Sequence, residues 1–310
     1  MRWRLMPTEI TQLPEMKSKI ILIISLILCC LCGCGSGNSS LAAGITNVST
    51  EDNSRFTCEY EGVLRDFTLY LPDNLSKNSV LVMALHGYGS DGDSFARDTK
   101  LHEKLCPGGY ALAYITGIPD PDDKTAATGW NSGLKKTGND DAGFLCSLAA
   151  YLQKEYSLNS KRCVAVGFSN GAFMTHKLAL HESGIITDIV SVSGMMPQHA
   201  WEERPEKAMV NVLQISGSKD DVVPQKRSGS DKYAKAPAIE DVMDYYAMSS
   251  GLDTITQEQF TEKSDIIKYS SEKDEHIVWS VTVKDGRHSW FEEPFCGFEI
   301  NDLIMEFLEK

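Results

Sequence analysis

Arg162-Cys163-Val164-Ala165-Val166-Gly167-Phe168-Ser169-Asn170-Gly171-Ala172-Phe173-Met174 joins two kinds of chain with no spacer between them. Its first half is short, apolar and rich in valine, which predicts a buried strand. Its second half opens a helical run from Asn170 to His181. A strand that turns straight into a helix crowds the backbone two residues either side of the apex. Gly167 and Gly171 stand at those two places, where a Cβ would collide. Ser169 is then the exposed apex, next to a helix N-terminus. Gly-x-Ser-x-Gly in this setting is a nucleophile elbow.

A serine hydroxyl is a weak nucleophile unless a base takes its proton and a third group holds the base. In chains built around such an elbow the serine comes first, then an acid, then a histidine. Seven histidines are present. His176 and His181 fall on the elbow helix, His102 on an earlier helix, and His86 opens a glycine-rich loop. His199 precedes any plausible acid, and His276 begins a strand. His288, in Lys284-Asp285-Gly286-Arg287-His288-Ser289-Trp290, follows a late strand and is the candidate base. Ile215-Ser216-Gly217-Ser218-Lys219-Asp220-Asp221-Val222-Val223-Pro224 supplies the acid. The Gly-x-x-Asp spacing favours Asp220, with Asp221 as the alternative. For the oxyanion of acyl transfer, the backbone N–H groups of Asn170 and Tyr88 are the candidate donors. Tyr88 lies in His86-Gly87-Tyr88-Gly89, directly after the apolar run Val80–Leu85.

Other segments complete an alternating pattern. Strands are expected at Phe56–Tyr60 and Asp66–Leu71 around a turn at Glu61-Gly62, and at Val80–Leu85, Tyr110–Ile115, Ile189–Ser193, Val210–Ser216 and His276–Val283. Helices are expected over 94–105, 140–156, 237–250 and 299–308. Strands alternating with helices imply an α/β domain with a mostly parallel central sheet flanked by helices. The loop 117–138 and the segment 225–275 give no clear pattern. In Asp140-Asp141, Asp141 reads as a helix cap.

The 310 residues carry 42% hydrophobic side chains, enough for a sizeable core, and a net charge of −13 with a pI near 5.0. An acidic chain is a poor match for non-specific nucleic-acid binding. Lys17 and Lys19 precede the apolar run Ile20–Leu28, which predicts an export signal over 1–33, with Met16 as a second candidate start. Leu31-Cys32-Gly33-Cys34 resembles a lipobox, so Cys34 is the expected lipidation site and attachment to a membrane the expected consequence. Residues 34–54 read as a polar linker and 55–310 as one catalytic domain. The expected location is extracytoplasmic, either as a cell-surface lipoprotein or secreted. Beyond the leader, Cys58, Cys106, Cys146, Cys163 and Cys296 are odd in number, so at least one has no partner within the chain. None of these five stands in a Cys-x-x-Cys spacing, so no metal site is expected, and no cofactor is needed.

Five segments in this order resemble the α/β-hydrolase fold, and within it the poly(3-hydroxybutyrate) depolymerase and feruloyl-esterase-like group of secreted esterases. They are Leu85–Gly89, Asp140–Phe144, Gly167–Ala172, Gly217–Pro224 and Gly286–Trp290. The resemblance runs from about Phe56 to the C-terminus. It implies a serine esterase acting on polymer or oligomer esters, either plant cell-wall acyl groups or a polyester. That group often carries a Gly-His-Thr-Trp-Pro-like segment where this chain has Arg287-His288-Ser289-Trp290-Phe291. Trp130 and Trp290 are candidate substrate-binding residues. Two other functions fit part of the pattern: a serine peptidase of prolyl-oligopeptidase type, and a surface lipoprotein that binds a ligand without catalysis.

Overall fold

The computed structural model describes residues 41–50, 52, 54–121, 124–134, 138–225 and 236–310. The expected export signal and the lipidation site Cys34 lie outside the described residues. Among the described residues, no helix is long and apolar enough to cross a membrane.

The described residues hold thirteen strands, in chain order β1 (Ile45–Thr50), β2 (Arg55–Tyr60), β3 (Val63–Tyr70), β4 (Leu81–Leu85), β5 (Ala111–Ile115), β6 (Ile118–Pro119), β7 (Thr128–Gly129), β8 (Cys163–Phe168), β9 (Asp188–Val192), β10 (Asn211–Gly217), β11 (Thr254–Thr261), β12 (Ser264–Ser270) and β13 (Val278–Val283). Eleven form one sheet in the order β1-β2-β3-β5-β4-β8-β9-β10-β13-β12-β11, while β6 and β7 pair separately. The central six, β5 to β13, run parallel. The antiparallel strands β1–β3 extend one edge and β12–β11 the other.

The continuous apolar runs have a direct cause. Every residue of β4, β5 and β9 is buried, because helices cover both faces of the sheet. Leu81, Met83 and Leu85 point to one core, with Phe144, Leu148, Phe173 and Met174 from the helices Asp141–Glu155 and Asn170–Ala179. Val82 and Ala84 point to the other, with Phe95 and Phe307 from the helices Gly92–Thr99 and Ile300–Leu308. This is the two-residue period of a strand, with both phases apolar.

Four expectations change. Residues 41–54, read as linker, contain β1, which pairs with β2 and buries Ala42 and Ile45. The segment is otherwise polar because an edge strand buries little. The helix expected over 94–105 breaks at Lys100, whose φ of 49° ends Gly92–Thr99 and opens Leu101–Leu105. Asp140, not Asp141, caps the helix Asp141–Glu155 by accepting from the Gly143 N–H. Asp141 is instead buried in an ion pair with Arg65 at 2.8 Å. In the segment 225–275, the hairpin β11–β12 accounts for residues 254–270.

Cys58, Cys106, Cys146, Cys163 and Cys296 are free thiols. Burial pushes each of them up, and so keeps them protonated.

His176 explains one expected property of the domain. It is fully buried on the elbow helix, within 3.3 Å of the Tyr246 hydroxyl, the Ser191 hydroxyl and the Gln214 carbonyl oxygen. Burial lowers it from 6.5 to about 4. The unfolded chain therefore takes up a proton here at a pH where the folded chain does not. Stability is fully present above pH 6.5 and is lost as the pH falls toward 4. The displacement corresponds to on the order of 3 kcal/mol at its acid end. Denaturant unfolding across that window should show the loss, and His176→Gln should flatten it.

Candidate active site

The site forms at the C-terminal ends of the central parallel strands, where open α/β sheets place their crevice. Ser169 follows β8 directly and Asn170 begins the helix. Ser169 has φ 52° and ψ −116°, a conformation costing a non-glycine residue about 1–3 kcal/mol. The neighbouring glycines are required by space. A Cβ at Gly171 would lie 2.1 Å from the Leu85 carbonyl oxygen, and one at Gly167 would lie 2.3 Å from the Gly171 oxygen. The Ser169 N–H donates to Val192 O on β9 at 3.0 Å, and Ser169 O accepts from the Phe173 N–H at 3.0 Å. The apex is thus held from both sides.

His288 comes from the loop after β13, and Asp220 from the loop after β10. His288 Nε2 lies 2.9 Å from Ser169 Oγ, and His288 Nδ1 lies 2.9 Å from Asp220 Oδ2. The ionised carboxylate can only accept, so Nδ1 carries the hydrogen and Nε2 offers its lone pair to the serine. Asp220 Oδ1 accepts the N–H groups of Val222 at 2.9 Å and Val223 at 2.7 Å. The choice between the two aspartates is a matter of burial. The Asp220 side chain is 0% exposed. That of Asp221 is 73% exposed and lies 3.8 Å from Arg287.

The acid and histidine loops are fastened to each other. Lys219 N–H donates to Gly286 O at 2.9 Å, and Asp285 N–H to Ser218 Oγ at 2.9 Å. A side chain at Gly217 would meet Gly286 O at 2.3 Å, so glycine permits the approach. Ser193, which sequence reasoning overlooks, holds the histidine loop from the other side. Its hydroxyl donates to Ser289 O at 2.8 Å and accepts from the Ser289 N–H at 3.3 Å. No local pattern in Ser191-Val192-Ser193-Gly194 signals this role, because its partner is 96 residues away.

Of the two expected oxyanion donors, Asn170 directly follows Ser169 and Tyr88 lies on the loop after β4. The Asn170 N–H belongs to the first turn of its helix, where the dipole favours negative charge. Tyr88 follows Gly87, where an added Cβ would fall 3.4 Å from Ser169 Cβ, so this loop lies against Ser169. The Tyr88 side chain is exposed and its hydroxyl pairs with Thr125 Oγ1 at 2.8 Å. The Asn170 side chain has a use that the motif does not announce. Its Oδ1 accepts the Trp130 N–H at 2.7 Å, and its Nδ2 donates to Trp130 O at 3.3 Å and Ser132 Oγ at 3.0 Å.

That brace shapes a cavity of about 140 Å³ lined by Tyr88, Ile118, Trp130, Leu134, Asn139 and Asn170, among others. Trp130 is 6% exposed, its indole N–H donating to His86 O at 3.0 Å. Trp290 is not part of this wall. It packs edge-on against Phe95 at 5.4 Å and near Phe168 at 6.5 Å, while Phe168 lies against His288 at 5.2 Å. The structure therefore puts Trp130 in the cavity wall and Trp290 outside it, against Phe95 and Phe168.

Residues 141–270 match the family model described as Phospholipase/Carboxylesterase. The chain is similar to the bifunctional acetylxylan esterase/xylanase of Neocallimastix patriciarum, 24% identical over 163 residues, which cover 53% of this chain and 22% of that protein. It is also similar to feruloyl esterase B of Thermothelomyces thermophilus, 29% identical over 119 residues, 36% of this chain and 38% of that one. It spans less than half the length of these curated relatives. Among solved structures, the acetyl xylan esterase from Aspergillus awamori superposes with a TM-score of 0.57 at 14% identity, covering 79% of this chain and 94% of that one. An apex serine between a parallel strand and its helix, with partners on the ends of later parallel strands, is the arrangement of the α/β-hydrolase fold, and this chain has that fold.

Proposed function

We propose that the protein is a serine esterase that hydrolyses carboxylic esters through an acyl-enzyme. The observation that carries this reading is the relay of Asp220, His288 and Ser169, with both contacts at 2.9 Å. Ser169 Oγ attacks the ester carbonyl carbon while its proton passes to His288 Nε2. Asp220 holds the imidazole and stabilises its charge. The carbonyl oxygen becomes an oxyanion between the Asn170 and Tyr88 N–H groups. As the tetrahedral intermediate collapses, His288 returns the proton to the departing alcohol, leaving the acyl group on Ser169. Water then repeats the sequence and releases the acid.

The substrate class we infer is acyl groups on plant cell-wall polysaccharide, acetyl or feruloyl. What supports it is the names of the acetylxylan and feruloyl esterases that the chain resembles. The same reading places the enzyme outside the cytoplasm, tethered through Cys34 or secreted, on the strength of the sequence at 17–34 alone.

Initial rates on acetylated xylan, methyl ferulate, a hydroxybutyrate oligomer and a proline-containing peptide amide test the assignment. The expected result is turnover of the cell-wall esters and none of the peptide. Cleavage of the peptide in preference to any ester would overturn it.

A further inference from the structure

His86 is fully buried at the start of the loop that carries Tyr88, and three interactions meet on it. Its Nδ1 lies 2.7 Å from Gly87 O, which also accepts the Ser90 N–H at the longer distance of 3.2 Å. Its Nε2 lies 2.8 Å from the Gly117 N–H, which can only donate. Its own carbonyl oxygen accepts the Trp130 indole N–H at 3.0 Å. These partners decide the tautomer. Nε2 faces a donor, so it must be the bare, accepting nitrogen, and Nδ1 must carry the hydrogen that Gly87 O accepts. The imidazole is neutral, in keeping with the burial that lowers its affinity for a proton.

Gly87 C=O and Tyr88 N–H belong to one peptide unit. No peptide among the described residues is cis. In a planar trans unit the C=O and N–H point in opposite directions. A ring that grips the Gly87 oxygen therefore turns the Tyr88 N–H away from itself. Gly87 lies directly against Ser169 and Phe168. The remaining two contacts of His86, to Gly117 and Trp130, tie this loop to the wall of the cavity.

We propose that His86 is a positioning residue: its Nδ1–H fixes the Gly87–Tyr88 peptide so that the Tyr88 N–H faces the developing oxyanion at Ser169. The inference rests on the esterase reading above. It assigns His86 no contact with substrate.

Two near-isosteric variants separate the two ring contacts. His86→Asn keeps a donor at the Nδ1 position and loses the acceptor for Gly117. His86→Gln keeps an acceptor at the Nε2 position and loses the grip on Gly87. With ester substrate, His86→Gln should lower kcat roughly 10²-fold with little change in KM, the effect of losing an oxyanion donor. It should also weaken inhibition by a trifluoromethyl ketone, whose adduct carries the oxyanion. His86→Asn should stay within about tenfold of wild type, the worth of one neutral hydrogen bond. Equal losses in both variants, or full kcat in His86→Gln, would overturn the proposal. Nitrogen NMR of the wild-type protein at neutral pH needs no variant: the Nδ1-protonated tautomer is expected, and the Nε2-protonated one would refute it. Wild-type turnover is the control. If the wild type hydrolyses no ester, the esterase reading has failed. If it does and the variants break the pattern, only the role of His86 has failed.

Discussion

Ser169→Ala is expected to lower kcat/KM for ester hydrolysis by roughly 10⁴- to 10⁶-fold, with folding stability changed by about 1 kcal/mol or less. In the proposed mechanism the loss is large because the hydroxyl oxygen is the only atom of the relay that forms a bond to substrate. His288 and Asp220 have nothing to act on without it. The fold should tolerate the change. Among the described residues the Ser169 side chain bonds only to His288, whereas its backbone bonds to Val192 and Phe173 remain. Alanine meets the same strain at φ 52° that serine does. Initial rates and thermal unfolding of the same preparation check both halves. Activity above a hundredth of wild type, in protein free of contamination, would remove Ser169 from the mechanism.

Asp141→Ala should destabilise the domain by about 3–5 kcal/mol, the cost of stranding one charge of a buried pair. Arg65 and Asp141 are 2% and 1% exposed, their contact is 2.8 Å, and the guanidinium lies 4.5 Å over the Phe144 ring. The pair joins β3 to the helix Asp141–Glu155. Asp141 Oδ2 also accepts the Asn131 N–H at 2.7 Å, next to Trp130 on the cavity wall. Denaturant unfolding should thus show a large loss of stability, and residual activity should show an altered cavity. The double variant Arg65→Met with Asp141→Leu should recover much of the stability, because no unpaired charge remains. A double variant less stable than Asp141→Ala would contradict this explanation.

The parts of the site legible in the sequence share one property: their chemistry is local. The elbow declares itself because Gly-x-Ser-x-Gly lies within five residues, although the backbone that excludes a side chain at Gly171 belongs to Leu85 on β4. His288 stands out because it alone follows a late strand. Asp220 and Asp221 are adjacent and alike in sequence. What separates them is that one points into the fold and receives two backbone N–H bonds. The helix cap shows the same limit, since both Asp140 and Asp141 could cap, and Asp141 is drawn inward by Arg65 and the Asn131 N–H. The strands β1 and β11 escape notice for a different reason. β11, Thr254–Thr261, is exposed along most of its length, so no buried phase appears in its side chains. The roles of Ser193, the Asn170 amide and Trp130 depend on partners tens of residues away. No periodicity within a segment records such contacts.

Mass-spectrometric mapping after reaction with a fluorophosphonate tests the central assignment most directly, because the probe reports the nucleophile without presuming a substrate. One phosphonyl group per chain is predicted, on the peptide containing Gly167–Gly171, with no labelling in His288→Ala on the same timescale. Label on another residue, or equal labelling in His288→Ala, would contradict the assignment of Ser169 as a nucleophile activated by His288.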